Sequence, residues 1–210
     1  MRKEHAWAVL CALVLTIILT LLSGIPVVKQ ADLAVSDALY QQPAASDGEI
    51  IIVGIDQKAL EAYGPYSRWG RDRMAQVLET LNHSESCRPA VIGIDVLYSG
   101  QTDSEGSRKL AKAAGRYDNV VAACAAEIGT SLVEYKGEYA LHPFMVTAFD
   151  EPYQELKEQV SLGHINAMLD ADGILRHHLL AINLPDKRQV PSLALAVARA
   201  YKGEEISLPP

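Results

Sequence analysis

Ile50-Ile51-Ile52-Val53 runs unbroken into Gly54-Ile55-Asp56, and no other stretch restricts the fold as much. Branched side chains favour extended backbone, and a short continuous apolar run reads as a strand buried on both faces, as in a parallel sheet. The pattern returns as Ala90-Val91-Ile92-Gly93-Ile94-Asp95, with Gly93 matching Gly54 and Asp95 matching Asp56. Met74, Val77, Leu78 and Leu81 lie between the two runs with the spacing of one buried helix face. The sequence therefore predicts two strands of one βαβ unit, with Asp56 and Asp95 at their carboxyl ends, where open α/β sheets place ligand sites.

Asn119 to Ala126 predicts a third parallel strand, reached through a helix carrying Leu110, Ala113 and Ala114. Lys136-Gly137 marks a possible hairpin, and Pro143 to Leu162 reads as irregular with a short helix near Tyr153 to Glu158. His164 to Leu169 and Ile174 to Leu184 read as two strands joined by a turn at Asp170, Asp172 and Gly173, with Arg176 assigned to the same structural turn. Pro191-Ser192 opens a last helix that Gly203 stops. The predicted class is α/β: a mixed sheet with a parallel βαβαβ half and an antiparallel hairpin half, preceded by one N-terminal transmembrane helix.

That helix is Ala6 to Val28, an uncharged run. It would span about 34 Å at 1.5 Å per residue, enough for a hydrocarbon core of about 30 Å. Arg2 and Lys3 precede it, which places the N-terminus in the cytoplasm. A cleaved signal peptide fits less well, because Leu22 occupies the first small-residue position of the only candidate cleavage site. A buried core helix would carry more polar face than Thr16 and Thr20 supply. The expected division is a cytoplasmic N-terminus over 1–5, a transmembrane helix over 6–28 and one domain outside the cytoplasm over 29–210.

The net charge of −7 argues against a nucleic-acid partner. Cys87 and Cys124 are expected near opposite edges of the sheet, too far apart to pair, and read as buried thiols.

Several ordered pieces now coincide: Ile51-Ile52-Val53-Gly54-Ile55-Asp56, Tyr63 to Arg71, Val91-Ile92-Gly93-Ile94-Asp95, Asp103, Gly163-His164-Ile165-Asn166, Asp170-Ala171-Asp172-Gly173, Arg176 and Pro191-Ser192-Leu193. Their order and spacing resemble a CHASE2 domain, the extracytoplasmic sensory module of bacterial membrane receptors. Gly70 departs from the family pattern, which usually has Pro before the Arg. The resemblance implies a receptor of the cell (inner) membrane, an extracytoplasmic small-molecule or protein signal, and a cytoplasmic output: a nucleotide cyclase, a Ser/Thr protein kinase or a histidine kinase. That output would lie beyond Pro210. A homodimer is expected, and no cofactor.

Asp56, Arg71, Asp95 and Asp103 are the candidate ligand-binding residues, with Arg71 the counter-charge to Asp56 and Asp95. The competing reading has the same carboxylates tying βα turns to the sheet. Asp170 and Asp172 do not make a calcium loop, because its first and last ligand positions would fall on Met168 and Leu179. His164, His177 and His178 lack metal-ligand spacing. No catalytic or metal-binding residue is assigned. Asp56 lacks the second carboxylate two residues on that a phosphatase nucleophile usually has, since Lys58 stands there. The alternative from another class is a cell-envelope α/β enzyme using Asp56 and Asp95 on a metal.

Overall fold

The computed structural model describes residues 2–40, 48–100, 104–135, 137–170 and 172–204. The chain divides into two compact units, Met1–Asp56 and Gln57–Pro210.

In the first unit, α1 (Arg2–Ser23) and α2 (Pro26–Tyr40) replace the single helix expected over Ala6 to Val28. Pro26 is the reason. It lacks an N–H and its ring collides with a preceding helical turn, but it is well accepted at the first position of a new helix. The chain turns by 85° between Trp7–Leu22 and Pro26–Leu39. No single helix among the described residues is long and apolar enough to cross a membrane, whereas this bent pair reaches the required length and composition.

Ile50 to Asp56 corrects the central expectation, because it belongs to no strand. Its backbone carries no assigned regular element, and Ile50, Ile51, Ile52 and Val53 are 82, 82, 90 and 69 % exposed. Branched side chains favour extended backbone, but sheet membership requires a hydrogen-bonded neighbour, which no local preference supplies.

The second unit opens with α3 (Gln57–Tyr63) and a 3-10 turn at Tyr66–Arg68. Trp69 Nε1 donates to the Gly64 carbonyl at 2.9 Å, and Arg73 stacks on Tyr63 and Trp69. Next comes α4 (Asp72–Leu81), where Leu78 of the expected face is buried and Met74 and Leu81 are half-buried, but Val77 is exposed and Ala75 is buried in its place. The βαβ unit that forms is β1 (Ile92–Ile94), α5 (Ser104–Tyr117) and β2 (Val120–Tyr135), with Ile92 beside Val120 and Ile94 beside Ala122 in parallel register. The expected parallel half is thus one strand shorter at its N-terminal end.

β2 changes partners part-way. Over Val120 to Cys124 it lies between β1 and β4 (Ser161–His164), both parallel to it. From Ala125 it pairs antiparallel with β3 (Glu138–Asp150) as a long two-stranded ribbon. The segment Pro143 to Asp150, expected to be irregular, is therefore strand. Register shifts near Ile128 and Ser131, and the left-handed φ of 65° at Phe144, break the alternation that would have marked it. α6 (Gln154–Lys157) follows β3.

The strands expected over His164 to Leu169 and Ile174 to Leu184 are mostly absent. A bridge between Met168 and His177 closes the Asp170 turn, and β5 (Ala181–Asn183) pairs with β6 (Gln189–Pro191) instead. α7 (Leu193–Lys202) starts where Ser192 accepts from the Leu195 N–H and stops at Gly203, which is left-handed at φ 65°.

One core cluster joins Ala75, Leu78, Ile94, Tyr98, Leu110, Ala114, Val120 and Leu156 between α4, α5, α6 and the sheet. A second joins Cys124, Ala126, Ile182, Leu184 and Val190. β4 packs against the start of α7, and the fit is close. A Cβ at Gly163 would come within 2.5 Å of Leu193 Cα.

Candidate functional site

Arg71 immediately precedes α4 and is only 8 % exposed. Its Nη1 donates to Ser107 Oγ at 2.8 Å, and its Nη2 donates to the carbonyls of Ser99 at 2.9 Å and Gly100 at 2.7 Å. The guanidinium lies over the rings of Tyr98 and Tyr153, at 5.8 and 4.4 Å from their centroids. Tyr153 completes the cluster by donating its hydroxyl to the Ser107 carbonyl at 2.7 Å. Burial raises both phenols, Tyr98 further with the help of Tyr66, and Tyr153 to about 12. Both are therefore neutral at physiological pH, and carbonyls, a hydroxyl and ring faces solvate the buried guanidinium.

Asp95, one of the expected carboxylates, is not part of this cluster. No hydrogen bond or ion pair joins Asp95 to Arg71, and Asp95 is exposed just past β1. Asp56 is exposed and ends the first unit. Asp103 lies outside the described residues. Among the described residues Arg71 makes no ion pair, and it links the start of α4, the loop after β1 and the first turn of α5. Tyr98, Ser107 and Tyr153 were invisible to sequence reasoning, because they reach Arg71 from three separate elements.

The Asp170 turn is held by its own residues. Arg176 pairs with Asp170 and Asp172, each at 2.8 Å, and the Asp170 N–H donates to the Ile174 carbonyl at 3.0 Å. Gly173 supplies the left-handed φ of 81°. Hydrogen bonds from Arg176 bring the Asp172 carboxyl down to about 2.

At the carboxyl end of β4, His164 is 1 % exposed, with neither ring nitrogen hydrogen-bonded. Burial, and after it the charge of His178, lowers its pKa. Asn166 then takes the place of a strand residue. Its amide accepts from the Ala126 N–H at 2.8 Å and donates to the Ala126 carbonyl at 2.6 Å. Cys124 is buried and its thiol is pushed up to about 12, chiefly by burial, so it is not a nucleophile at neutral pH. Cys87, expected to be buried, is exposed in a 3-10 turn at Glu85–Cys87. No group of three or more His, Cys, Asp or Glu among the described residues could hold a metal ion. A cleft of about 380 Å³ lined by Asn82, His83, Arg88 and Tyr117 lies at the far end of α4 from Arg71.

The CHASE2 domain family profile matches residues 10–209. This chain belongs to the CHASE2 domain family. CHASE2 domains are sensor domains of signalling receptors, so membership places this chain in signal reception. No curated protein and no solved structure matches the chain. The profile match runs from within α1 through α7, so the CHASE2 region includes both compact units.

Proposed function

We propose that this CHASE2 chain is the extracytoplasmic sensor of a bacterial membrane receptor, held in the cell membrane by its N-terminal helices. On this reading it performs no catalysis itself. It passes a small-molecule or protein signal to a cytoplasmic cyclase or protein kinase, and the N-terminus lies in the cytoplasm.

The supporting observation is the surface of α1. Every described side chain from Trp7 to Leu22 is exposed, and all are apolar except Thr16 and Thr20. Those two hydroxyls donate back to the carbonyls of Ala12 and Thr16, each at 2.8 Å, so they need no outside partner. A helix that is apolar all round must be covered by protein or lipid. The metal-enzyme reading lacks comparable support, because the contacts of Arg71 and the exposure of Asp95 do not build a reaction centre.

A reporter enzyme active only outside the cytoplasm, fused after Tyr201, is expected to be active. Activity of a cytoplasm-only reporter at that position would overturn the topology.

A further inference from the structure

α4 and α5 both end at the cleft of about 380 Å³. That volume lies within the range of small-molecule sites, about 300–1,000 Å³. Glu79 and Asn82 line it from the end of α4, Glu85 and Arg88 from the segment that follows, and Arg116 and Tyr117 from the end of α5. All six belong to the second unit.

The floor is built from side chains that are already held. Asn82 is 5 % exposed, and its amide donates to the Leu78 carbonyl at 2.9 Å. Its Oδ1 accepts from Asn119 Nδ2 at 2.9 Å and from Arg88 Nε at 3.1 Å. Arg88 Nη2 also donates to the Tyr117 carbonyl at 2.8 Å, so Arg88 ties the two helix ends together.

Arg116 is placed differently. Its guanidinium lies 5.4 Å from the centroid of the Tyr117 ring, against which Arg88 also rests at 4.9 Å. The negative end of α5 favours a cation there. That accounts for its charge and leaves its donors without a carboxylate, because among the described residues Arg116 forms no ion pair. Glu79 and Glu85 share the same lining and pair with neither arginine. Two cations and two carboxylates thus face one cleft without neutralising one another. A ligand of purely negative charge would meet Glu79 and Glu85, and one of purely positive charge would meet Arg88 and Arg116. A ligand carrying both signs avoids both penalties.

We propose that this cleft binds a free α-amino acid, its carboxylate gripped by Arg116 and its ammonium by Glu79. The planar fork of arginine matches the two oxygens of a carboxylate. Arg88 holds the floor, and Glu85 adds to the attraction for the ammonium. The inference rests on the sensor reading for its meaning, since the amino acid would then be the signal. Binding itself is a property of this chain alone.

The test titrates the purified full chain, in detergent micelles, with each of the twenty standard amino acids, reading melting temperature and heat of binding. At least one is expected to raise the melting temperature, while its deaminated acid and its decarboxylated amine do not. Arg116→Gln and Glu79→Gln should each weaken that binding by at least about tenfold. Both side chains are exposed, so the ligand-free melting temperature should stay at the wild-type value. Arg116→Lys keeps the charge beside Tyr117, loses the fork, and should still lose most of the affinity. Silence across all twenty amino acids would overturn the proposal. So would a deaminated acid that binds as tightly as its parent, or unchanged affinity in the Arg116 and Glu79 variants. Intact binding together with a reporter fusion active only in the cytoplasm would overturn the sensor topology and leave the cleft assignment standing.

Discussion

Ile50–Val53 and Val120–Ala123 are both runs of apolar residues that read as buried strand, yet the first is 69–90 % exposed and the second at most 5 %. Composition does not separate them. Val120–Ala123 has β1 on one side, β4 on the other, α5 over one face and the β4–α7 layer nearby. Ile50–Val53 has the same local preference and none of those pairings. The difference shows that an apolar run specifies a conformation, while the neighbours specify whether it becomes structure.

The sharpest way to break this comparison is to put the same charge into both runs. Val121→Asp buries an unpaired carboxylate and is expected to cost at least about 3–5 kcal/mol. Val53→Asp should change unfolding by no more than about 0.5 kcal/mol at concentrations that keep the chain monomeric. Urea unfolding of the two variants checks this, and equal losses would show that the first run is buried after all.

Next in size is the cover over β2. Leu110 is fully buried in the cluster that contains Val120, and Leu110→Ala should cost about 2–5 kcal/mol by opening a cavity. A loss near zero in the same titration would mean that α5 does not hold β2 in place.

Arg71→Leu tests the loop that leaves β1. It removes the charged donor to the Ser99 and Gly100 carbonyls, and a hydrogen bond to a charged group contributes about 1.5–3 kcal/mol. Hydrogen exchange should rise in the loop and the first turn of α5 before it rises in β2. Unchanged exchange there would remove Arg71 as the link between them.

The smallest effect concerns His164, which pairs in register with Cys124 at the end of the buried run. Its folded pKa lies below the ordinary value of 6.5. The unfolded chain therefore binds a proton that the native state refuses. The stability contributed by the neutral ring is complete above pH 6.5 and is lost as pH falls toward the folded value. Wild type should lose more melting temperature than His164→Leu between pH 7 and pH 5. Parallel curves would show that His164 is not the titrating group.

Elements whose signals are local were legible beforehand. α4 followed from Met74, Val77, Leu78 and Leu81, and α7 from Ser192 and Gly203. The turn at Gly137 was marked in the sequence, but β3 beyond it was not, because the bulges and Phe144 destroy the two-residue period. The break before Pro26 was written in the sequence and was outweighed by the apolar run around it. Arg71 was singled out in the sequence as the counter-charge to Asp56 and Asp95, whereas its hydrogen bonds go to Ser107, Ser99 and Gly100. Its partners were not legible, since two backbone carbonyls and two tyrosines from distant segments leave no pattern to read.

The close approach of β4 to α7 has a consequence for how this protein can vary. Every codon change away from glycine at position 163 adds a Cβ, and the atom it meets is main chain of Leu193, which cannot swing aside as a side chain can. Neighbouring positions can trade one residue for another of similar bulk, but this one has no smaller or equal alternative. Any drift in sequence at Gly163 must wait until the helix beside it has already moved, so the joint between β4 and α7 can change only in a fixed order: helix first, strand second.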